Sequence, residues 1–358
     1  MLYLGIDLGA TNIGAALVDE TGRIIRQGNR PTRVGREAHE IIQDIAELSL
    51  GLLEDEGLLQ NDVTAVGIGI PGLADFETGI VHRCPNLFWE EIPLKEILHE
   101  WLSLPIYITN DANCAALAEL YLGALKGRQN GVLITLGSGI GGGVILSGRI
   151  YTGAHGAAGE IGHMILQLDG EPCSCGNYGC FERYASANAL IRMAQETLKT
   201  NSDSLMLRKT GLLAGSNAGV NVGSNAGSNV GSNAGVYSDT QHIALDYLTA
   251  QIVVDAAREG DPVALQVFDE YLYNLSRGIV SIINLYDPEV VALGGGLSHA
   301  GEFLLFAVRE EVANHLSFKG FQSAEIVLAT LGNEAGVIGA AMFAQGCWCD
   351  SKEREILY

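Results

Sequence analysis

Three cysteines near the middle of the chain have the spacing of metal ligands. Cys173, Cys175 and Cys180 lie in one short segment that also contains turn-forming glycine and asparagine. Thiolates in such a segment are common zinc ligands, and a tetrahedral site needs a fourth ligand, for which His155 and His163 are the nearest suitable groups upstream. Four protein ligands close the coordination sphere, so the pattern predicts a structural zinc site, with metal-free buried cysteines as the alternative.

Three glycine-containing turns follow apolar segments, and each can point backbone N–H groups at phosphate oxygens. The first, at 7–12, also offers the Thr11 hydroxyl and the Asp7 carboxylate, which could hold the water shell of a metal ion. The other two lie at 137–143 and 293–296. Together they predict a nucleotide held from several sides. The candidate phosphate-binding residues are Asp7, Gly9, Ala10, Thr11, Asn12, Gly137, Ser138, Gly139, Gly141, Gly294, Gly295 and Gly296.

The second turn contains Gly137, Gly139 and Gly142 in the spacing of the dinucleotide-binding fingerprint. That fingerprint requires a helix directly after the loop. Residues 144–149 predict a strand and a hairpin turn instead, which disfavours a Rossmann domain. A phosphate-binding turn and a purely structural hairpin remain the two interpretations of this segment.

Apolar segments and turns alternate in two similar blocks. In the first block, strands are predicted at 3–6, 13–18, 23–25, 63–70 and 106–109, and helices at 37–55, 92–102 and 112–124, with Asp111 near the N-cap of the last. The second block opens with another hairpin, at 131–136 and 144–146, and continues with helices at 180–199, 243–259, 261–284, 300–315 and from 336 onward. Because 358 residues exceed one ordinary core, two such blocks predict two lobes of one plan.

Residues 215–235 repeat Gly and Asn with a four-residue period and carry few bulky apolar groups. This composition predicts a flexible surface loop between helices. A partner-binding or turn-rich insert is the alternative.

The overall charge and the termini exclude several classes of protein. A formal net charge of −21 argues against a nucleic-acid or anionic-membrane partner, because phosphate groups would repel the chain. The N-terminus lacks a basic region and a cleavage site, and no apolar stretch reaches about twenty residues, so neither a signal peptide nor a membrane span is expected. Clustered cysteines agree with a cytoplasmic protein that uses thiols for metal.

Several segments together resemble the ROK family of sugar kinases and repressors. They lie at 6–12, 108–113, 136–143, 159–163 and 173–182. The last two, Gly-Glu-Ile-Gly-His and the cysteine segment, are the most specific. The resemblance extends over the chain except for the region near 200–242.

This resemblance implies an α/β protein with the two-lobed actin/hexokinase-like ATPase fold. Its lobes would be ribonuclease H-like, with a structural zinc loop at 163–180. Residues 1–111 would form the small lobe and 112–335 the large lobe. A helix at about 336–358 would pack back on the small lobe.

The resemblance also implies roles for individual residues. Asp111 would be the general base that takes the proton from the reacting sugar hydroxyl. One zinc ion would be held by His163, Cys173, Cys175 and Cys180. The implied sugar-binding residues are Asn86, Asn110, Asp111, Glu160, His163 and Glu182. Asn12 departs from the family pattern, since many members have Lys there.

The implied reaction is phosphoryl transfer from ATP with Mg²⁺ to the 6-hydroxyl of a hexose. Glucose is the expected sugar, because residues 7–11 and Glu182 are more similar to the glucose-phosphorylating members than to the fructose branch. N-acetylglucosamine, N-acetylmannosamine, mannose, allose and fructose are alternatives, and polyphosphate is an alternative donor. Sugar and nucleotide would be the small-molecule partners of a homodimer or homotetramer.

Two other classes of function compete with the kinase. Repressors of the family carry a DNA-binding helix-turn-helix segment before the first strand, and this sequence starts directly before that strand. A sugar sensor without catalysis is disfavoured because Asp111 and all three glycine turns are present. The kinase is therefore the expected function.

Overall fold

The structure is a computed structural model that describes residues 1–211, 245–318 and 323–356. The repeat tract at 215–235 lies outside these ranges. Two five-stranded sheets, a small three-stranded sheet and the helices that cover them form the described chain. None of its described helices combines the length and the apolar character needed to cross a membrane.

The first part of the chain builds one five-stranded sheet and the small sheet. Its strands are β1 (Leu2–Leu8), β2 (Asn12–Asp19), β3 (Ile24–Pro31), β4 (Ala65–Ile70), β5 (Leu73–Ala74), β6 (Val81–Cys84), β7 (Trp89–Ile92) and β8 (Ile106–Asn110). Its helices are α1 (Ala38–Asp55), α2 (Leu94–Leu98) and α3 (Asp111–Leu122). The large sheet has the order β3-β2-β1-β4-β8, and β5, β6 and β7 form the small one.

The rest of the chain builds the second five-stranded sheet, in the order β11-β10-β9-β12-β13. Its strands are β9 (Gly131–Leu136), β10 (Ile140–Leu146), β11 (Arg149–Ile150), β12 (Val290–Gly294) and β13 (Glu325–Leu328). The described helices of this part are α4 (Glu182–Ala185), α5 (Ala187–Leu198), α6 (Leu205–Lys209), α7 (Ala250–Arg258), α8 (Pro262–Tyr286), α9 (Glu302–His315) and α10 (Ala335–Ile356).

The two five-stranded sheets have the same topology. In each, one strand pairs antiparallel with the hairpin strand that follows it and parallel with a later strand: β1 with β2 and β4, and β9 with β10 and β12. A second parallel strand, β8 or β13, completes the sheet. This repeated plan confirms the predicted two-lobed actin/hexokinase-like fold.

Helix α10 packs on the first sheet, although it follows the second sheet in sequence. Ile338 and Ala341 are buried together with Tyr3 of β1. The helix backbone comes so close to the sheet that a Cβ atom at Gly5 or Gly67 would collide with its carbonyl groups. Glycine at these two positions therefore permits the close packing of helix on strand.

Three predicted helices differ in extent from the observed ones. The helix predicted at 243–259 is observed as α7, which begins only at Ala250, because Thr249 is its N-cap and accepts a hydrogen bond from the N–H of Ile252 at 3.2 Å. The segment predicted as one helix at 180–199 is divided at Ser186, which ends α4. Its Oγ accepts a hydrogen bond from the N–H of Ala189 at 3.1 Å and so caps α5. Helix α2 is shorter than the predicted 92–102. It begins after Pro93, which stands at its N-cap and keeps the preceding residue extended, and it ends at Leu98, where a turn follows.

Candidate active site

A cleft of about 1140 Å³ opens between the two five-stranded sheets. The first sheet contributes Asp7 and Asn12, the second contributes residues 294–296, and Asp111 lies at the start of α3. Residues 328–337 form a further part of the wall. The fold thus brings predicted phosphate-binding residues and the predicted general base to one space.

Asp111 is the first residue of α3, directly after the end of β8. The sequence places the N-cap at or near Asp111, and in the structure the cap is Asn110, whose Oδ1 accepts a hydrogen bond from the N–H of Ala112 at 2.8 Å. Oδ1 of Asp111 accepts from the same N–H group, also at 2.8 Å. Asn110 Nδ2 in turn donates to the carbonyl of Gly72 at 3.4 Å, which ties the helix start to the loop after β4.

The environment of Asp111 brings the pKa of its carboxyl group close to neutral pH. Burial raises the pKa of Asp111 to about 7, and the negative charges of Asp7 and Glu160 add to the rise. The N–H of Ala112 acts in the opposite direction, because a donor stabilises the ionised carboxylate. The Asp111 carboxyl can therefore take up or release a proton near neutrality.

Asp7 lies in β1, next to the strand's last residue, and is itself poorly solvated. Burial raises the pKa of the Asp7 carboxyl. The start of α10 packs against it, since a Cβ atom at Gly336 would collide with the carboxylate. The glycine leaves room for this carboxylate in the cleft.

Glu160 connects Asp111 to the other predicted sugar-binding residues. It precedes a 3₁₀ turn at Ile161–His163. Burial raises the pKa of Glu160, the nearby His163 lowers it, and the negative charge of Glu182 raises it further. Glu160 also raises the pKa of Asp111. One electrostatically linked group is therefore formed by four side chains, those of Asp111, Glu160, His163 and Glu182.

Asn86 is exposed in the 3₁₀ turn Pro85–Leu87, beside the small sheet. In the described part of the chain its side chain makes no recorded hydrogen bond to another predicted sugar-binding residue. Cys84, two positions earlier, is buried close enough to Asp111 for their charges to interact: burial raises the pKa of its thiol to about 11, with Asp111 adding to the rise. Asn86 therefore lies two residues from a side chain that is close to the candidate base.

The predicted zinc ligands come together in the structure. One potential ligand atom from each of His163, Cys173, Cys175 and Cys180 lies within 4.8 Å of all the others. The Sγ atoms of Cys175 and Cys180 are 3.6 Å apart, and Sγ of Cys173 is 3.7 Å from Nδ1 of His163. Ligands at 2.0–2.3 Å from a tetrahedral zinc ion are roughly 3.3–3.8 Å apart, so the four residues fit zinc. The fourth ligand position thus falls to His163, and His155 is not part of the cluster.

The two nitrogens of His163 have different surroundings. Nδ1 faces the cysteine cluster and lies 3.9 Å from Oε1 of Glu182. Nε2 points away from this cluster, and in the described part of the chain it has no recorded hydrogen bond. An imidazole placed in this way can bind a metal with one nitrogen and a ligand hydroxyl with the other.

Glu182 is packed between the zinc loop and the second glycine turn. Its Oε1 lies 3.1 Å from Sγ of Cys173. Its Oε2 lies 2.5 Å from the position that a Cβ atom would occupy at residue 139. Any larger residue at position 139 would displace the carboxylate of Glu182. The sequence does not predict this contact between the zinc loop and the second glycine turn.

Some of the predicted phosphate donors already have partners inside the protein. The N–H of Gly9 donates to the carbonyl of Asn12 at 3.0 Å, the N–H of Gly137 to the carbonyl of Gly139 at 3.0 Å, and the N–H of Gly141 to Oγ1 of Thr135 at 3.2 Å. These bonds shape the turns. The predicted donors whose N–H groups have no such recorded bond in the described chain include Ala10, Thr11 and Ser138.

The third glycine turn lies directly against the second. Gly295 has a positive φ of 79°, and a Cβ atom there would come within 2.7 Å of backbone atoms of Leu136, the last residue of β9. Glycine therefore meets both a conformational and a steric requirement at this position. The two turns close one end of the second sheet, and Gly294, Gly295 and Gly296 line the cleft.

Several cleft residues are not predicted from the sequence. They are Gln27, Asn29, Glu119, Thr135, Ser298, His299, Thr330, Asn333 and Glu334. They come from strand edges, helices and loops that are distant in sequence, and none carries a recognisable motif. Only the fold, which brings them together around the cleft, reveals them.

The two matched sheets, the cleft between them and the buried carboxyl at its helix start define a protein of the bilobal actin/hexokinase-like class. The model of the ROK family matches residues 3–346. The chain belongs to the ROK family.

Named relatives and solved structures show which members of the family this chain is similar to. Glucokinase of Thermotoga maritima is 35% identical over 339 residues, which are 94% of this chain and 95% of that protein. A crystal structure of a ROK family glucokinase from Streptomyces griseus in complex with glucose and AMPPNP is similar with a TM-score of 0.76 and 33% identity, covering 97% of this chain and all of the other. A xylose repressor of Caldicellulosiruptor bescii is 28% identical over 94% of this chain and 76% of its own length.

Proposed function

We propose that this chain is an ATP-dependent glucokinase, which transfers the γ-phosphoryl group of ATP to the 6-hydroxyl of glucose. One observation carries the proposal: Asp111, with a pKa of about 7, lies in the cleft between two matched sheets. The Thermotoga maritima glucokinase and the Streptomyces griseus structure with glucose and AMPPNP support the same activity.

Asp111 acts as the general base in this proposal. It accepts the proton of the 6-hydroxyl while that oxygen forms its bond to the γ-phosphorus, and the bond from phosphorus to the β,γ-bridging oxygen breaks, releasing ADP. A base with a pKa near the working pH is ionised often enough to act and basic enough to accept the proton. The hydrogen bond from Ala112 to Oδ1 holds the carboxylate in a fixed orientation.

The electrostatically linked group around Asp111 supplies the sugar pocket. Glu160 and Glu182 can accept strong hydrogen bonds from sugar hydroxyls, and Asn110, Asn86 and Nε2 of His163 can add neutral ones. A site built from such partners disfavours sugars that lack the matching hydroxyl, because a carboxylate that the bound sugar shields from water would stay unpaired. This supports selection among hexoses by hydroxyl pattern.

The phosphate side of the cleft, in the part of the chain that the structure describes, has no permanently charged basic side chain, although His299 lines it. No Lys or Arg in the described ranges lines the cleft. Charge on the triphosphate must therefore be met by backbone N–H groups of the glycine turns and by Mg²⁺, as in other phosphoryl transfers. Asp7 is placed to hold the water shell of such an ion.

The zinc site is structural in this proposal. His163, Cys173, Cys175 and Cys180 would hold one Zn²⁺, and four protein ligands leave no open position for substrate. The ion would fix the loop that carries His163 and supports Glu182, so that both side chains are in place before sugar binds.

The division into lobes and the cellular setting belong to the same proposal. We propose a small lobe of residues 1–111 and a large lobe of 112–335, with α10 completing the small lobe. Closure of the lobes over the sugar would exclude water, which otherwise competes as acceptor. We further propose a homodimer or homotetramer that works in the cytoplasm and binds no nucleic acid.

A coupled assay of ADP release tests the function. The purified protein with ATP and Mg²⁺ should show its highest kcat/KM with glucose in a panel that includes mannose, fructose, N-acetylglucosamine and N-acetylmannosamine. A higher value for another sugar would transfer the proposal to that sugar, and polyphosphate in place of ATP tests the donor. Absence of ADP release with every sugar would refute the kinase.

A further inference from the structure

Glu119 is a buried carboxylate in α3 that has no part in the proposed reaction. The residue is 1% exposed. Oε1 accepts hydrogen bonds from the N–H groups of Thr330 and Leu331, both at 2.8 Å. Oε2 accepts from the N–H of Ala124 at 2.6 Å and from the hydroxyl of Thr330 at 3.1 Å. Both oxygens are thus occupied by donors of the protein.

The partners of Glu119 lie where the chain passes between the two sheets. Helix α3 and the turn at Ala124 lead from β8 of the first sheet to β9 of the second. Thr330 and Leu331 follow β13 of the second sheet and precede α10, which packs on the first. The carboxylate of Glu119 therefore joins the outgoing passage, from α3 to Ala124, to the returning passage, residues 330–334.

The returning passage also forms part of the cleft wall. Thr330, Asn333 and Glu334 line the cleft, and Gly336 packs against the carboxylate of Asp7. These residues lie on the side of Asp7 and the third glycine turn, whereas Glu160, His163 and Glu182 do not line this cleft. A shift of the returning passage would therefore alter the phosphate side before the sugar side.

We propose that Glu119 is a positioning residue that clamps the two passages together and so holds residues 330–334 where they contact the nucleotide. The clamp works only with an acceptor at both oxygens, because all four partners donate. When a cleft between two lobes closes, the segments that link the lobes change their backbone angles. A bond that holds two such segments together therefore also sets the axis about which the lobes rotate. The inference rests on the proposed function, since it assumes that this cleft binds ATP.

The variant Glu119→Gln tests the clamp with little change in size. Its amide nitrogen cannot accept a hydrogen bond, so at least one of the backbone N–H partners loses its bond. We expect amide hydrogen exchange to accelerate at Ala124 or at Thr330 and Leu331. Affinity for AMPPNP, measured by calorimetry, should fall about tenfold, because nucleotide binding must then also order residues 330–334, which the lost hydrogen bond to a charged group held in place. Glucose affinity without nucleotide should change less than about twofold.

Glu289→Gln is the matched control. Glu289 accepts hydrogen bonds from the N–H groups of Gln129 at 2.6 Å and Asn130 at 2.9 Å, at the end of the second sheet opposite the cleft. In Glu289→Gln, amide hydrogen exchange should be faster at Gln129 and Asn130, and the affinity for AMPPNP should equal that of the wild type. Equal loss of affinity in Glu289→Gln would overturn the proposal, as would faster exchange in Glu119→Gln with unchanged AMPPNP affinity.

Thr330→Val serves if Glu119→Gln does not fold. It removes only the hydroxyl donor and keeps the N–H group, so it should weaken AMPPNP binding in the same direction by a smaller factor. Unchanged affinity in this variant, with the glutamine variant unfolded, would reduce Glu119 to a stability role and overturn the proposal. A wild type that binds AMPPNP but phosphorylates no hexose would count against the proposed function and leave the clamp standing, whereas a wild type that binds no AMPPNP would overturn both.

Discussion

The negative charge of Asp7 raises the pKa of Asp111, although the two residues lie on different elements. Asp7 pairs with Gly69 in the neighbouring strand, and Gly69 pairs with Thr109, two residues before Asp111. Glycine at position 69 permits this arrangement, because a Cβ atom there would be 2.9 Å from Sγ of Cys114 and 3.5 Å from Cα of Asp111. The two carboxylates thus lie close enough for the charge of Asp7 to make Asp111 less acidic, whereas burial raises the pKa of Asp7 itself.

Replacement of Asp111 by Asn should remove the general base and keep the hydrogen-bonding groups. We expect kcat to fall by about 10²–10⁴-fold, the usual contribution of a positioned base. Glucose affinity, measured by calorimetry, should stay within a few-fold of the wild-type value.

Asp203→Asn is a suitable control, because that carboxylate is 89% exposed and lies outside the cleft. It should leave kcat unchanged. If Asp111→Asn kept more than about a tenth of the wild-type kcat, the assignment of Asp111 as base would be wrong.

The rate should depend on pH through the same carboxyl. Because Asp111 must be ionised to accept a proton and its pKa is about 7, kcat/KM for glucose should rise with pH through about 7 and then level off. Asp7→Asn removes one of the charges that raise this pKa, so the rise should move to lower pH, whatever the loss of absolute rate. A flat profile between pH 5.5 and 8.5 would contradict the assignment.

Stability should show the opposite trend with pH. The pKa of Asp111 is higher in the folded protein than in the unfolded chain, so its contribution to stability is fully present below the ordinary value of 3.8 and is lost as pH rises through about 7. A tenfold change in the acidity constant corresponds to about 1.4 kcal/mol. Asp111→Asn should therefore have a higher Tm than the wild type at pH 8, and calorimetric scans should show the difference shrinking as the pH approaches 4. A difference in Tm between Asp111→Asn and the wild type that is independent of pH would contradict the raised pKa of Asp111.

The sequence predicts those parts of the site that depend on local pattern. Hairpins around glycine turns, the strand before Asp111 and the cysteine spacing are all local, and the structure contains each of them. The choice between His155 and His163 as the fourth zinc ligand could not be made from spacing alone, because both lie upstream within reach. In the folded chain it is His163, and not His155, that lies with the three cysteines, and its Nδ1 faces Cys173.

Contacts between distant segments could not be predicted. The packing of Glu182 on Gly139 and the clamp of Glu119 on Thr330 join residues without a shared motif. The sequence places the start of α3 near Asp111 but does not distinguish Asn110 from Asp111 as its N-cap, because Asn and Asp are nearly equal as N-caps and only the backbone geometry at Asn110 shows which one serves.

Gly139→Ala should damage sugar binding although it lies in a glycine turn. Its Cβ atom would lie 2.5 Å from Oε2 of Glu182, so the carboxylate must move. We expect KM for glucose to rise by about tenfold to a hundredfold, since small displacements of positioning groups have such effects. Steady-state kinetics with glucose varied at saturating ATP would measure it.

Gly137→Ala is the matched control in the same turn. A Cβ atom there meets only the carbonyl oxygen of Gly139, at 4.0 Å, and leaves Glu182 undisturbed. Its KM for glucose should equal that of the wild type. An equal rise in both variants would show that the turn as a whole, and not the contact with Glu182, sets sugar affinity.

Loss of zinc should weaken sugar binding more than nucleotide binding. If His163, Cys173, Cys175 and Cys180 hold one ion, the purified protein should contain about one zinc per chain by elemental analysis. Cys175→Ser should lose that zinc and weaken glucose binding about 10–100-fold, because the loop that carries His163 and supports Glu182 is no longer fixed. Nucleotide affinity should fall less, because none of the four candidate zinc ligands is among the described residues that line the cleft.

Cys349→Ser is the control for this variant, because Cys349 is an exposed thiol on α10 outside the cluster. It should keep its zinc and both affinities. Excess Mg²⁺ should not rescue Cys175→Ser, since a hard cation that prefers oxygen ligands does not replace zinc among thiolates. A zinc-free wild type with full activity would refute the site. Equal loss of AMPPNP and glucose binding in Cys175→Ser, together with a lowered Tm, would show that the loop supports the whole large lobe and not the sugar pocket alone.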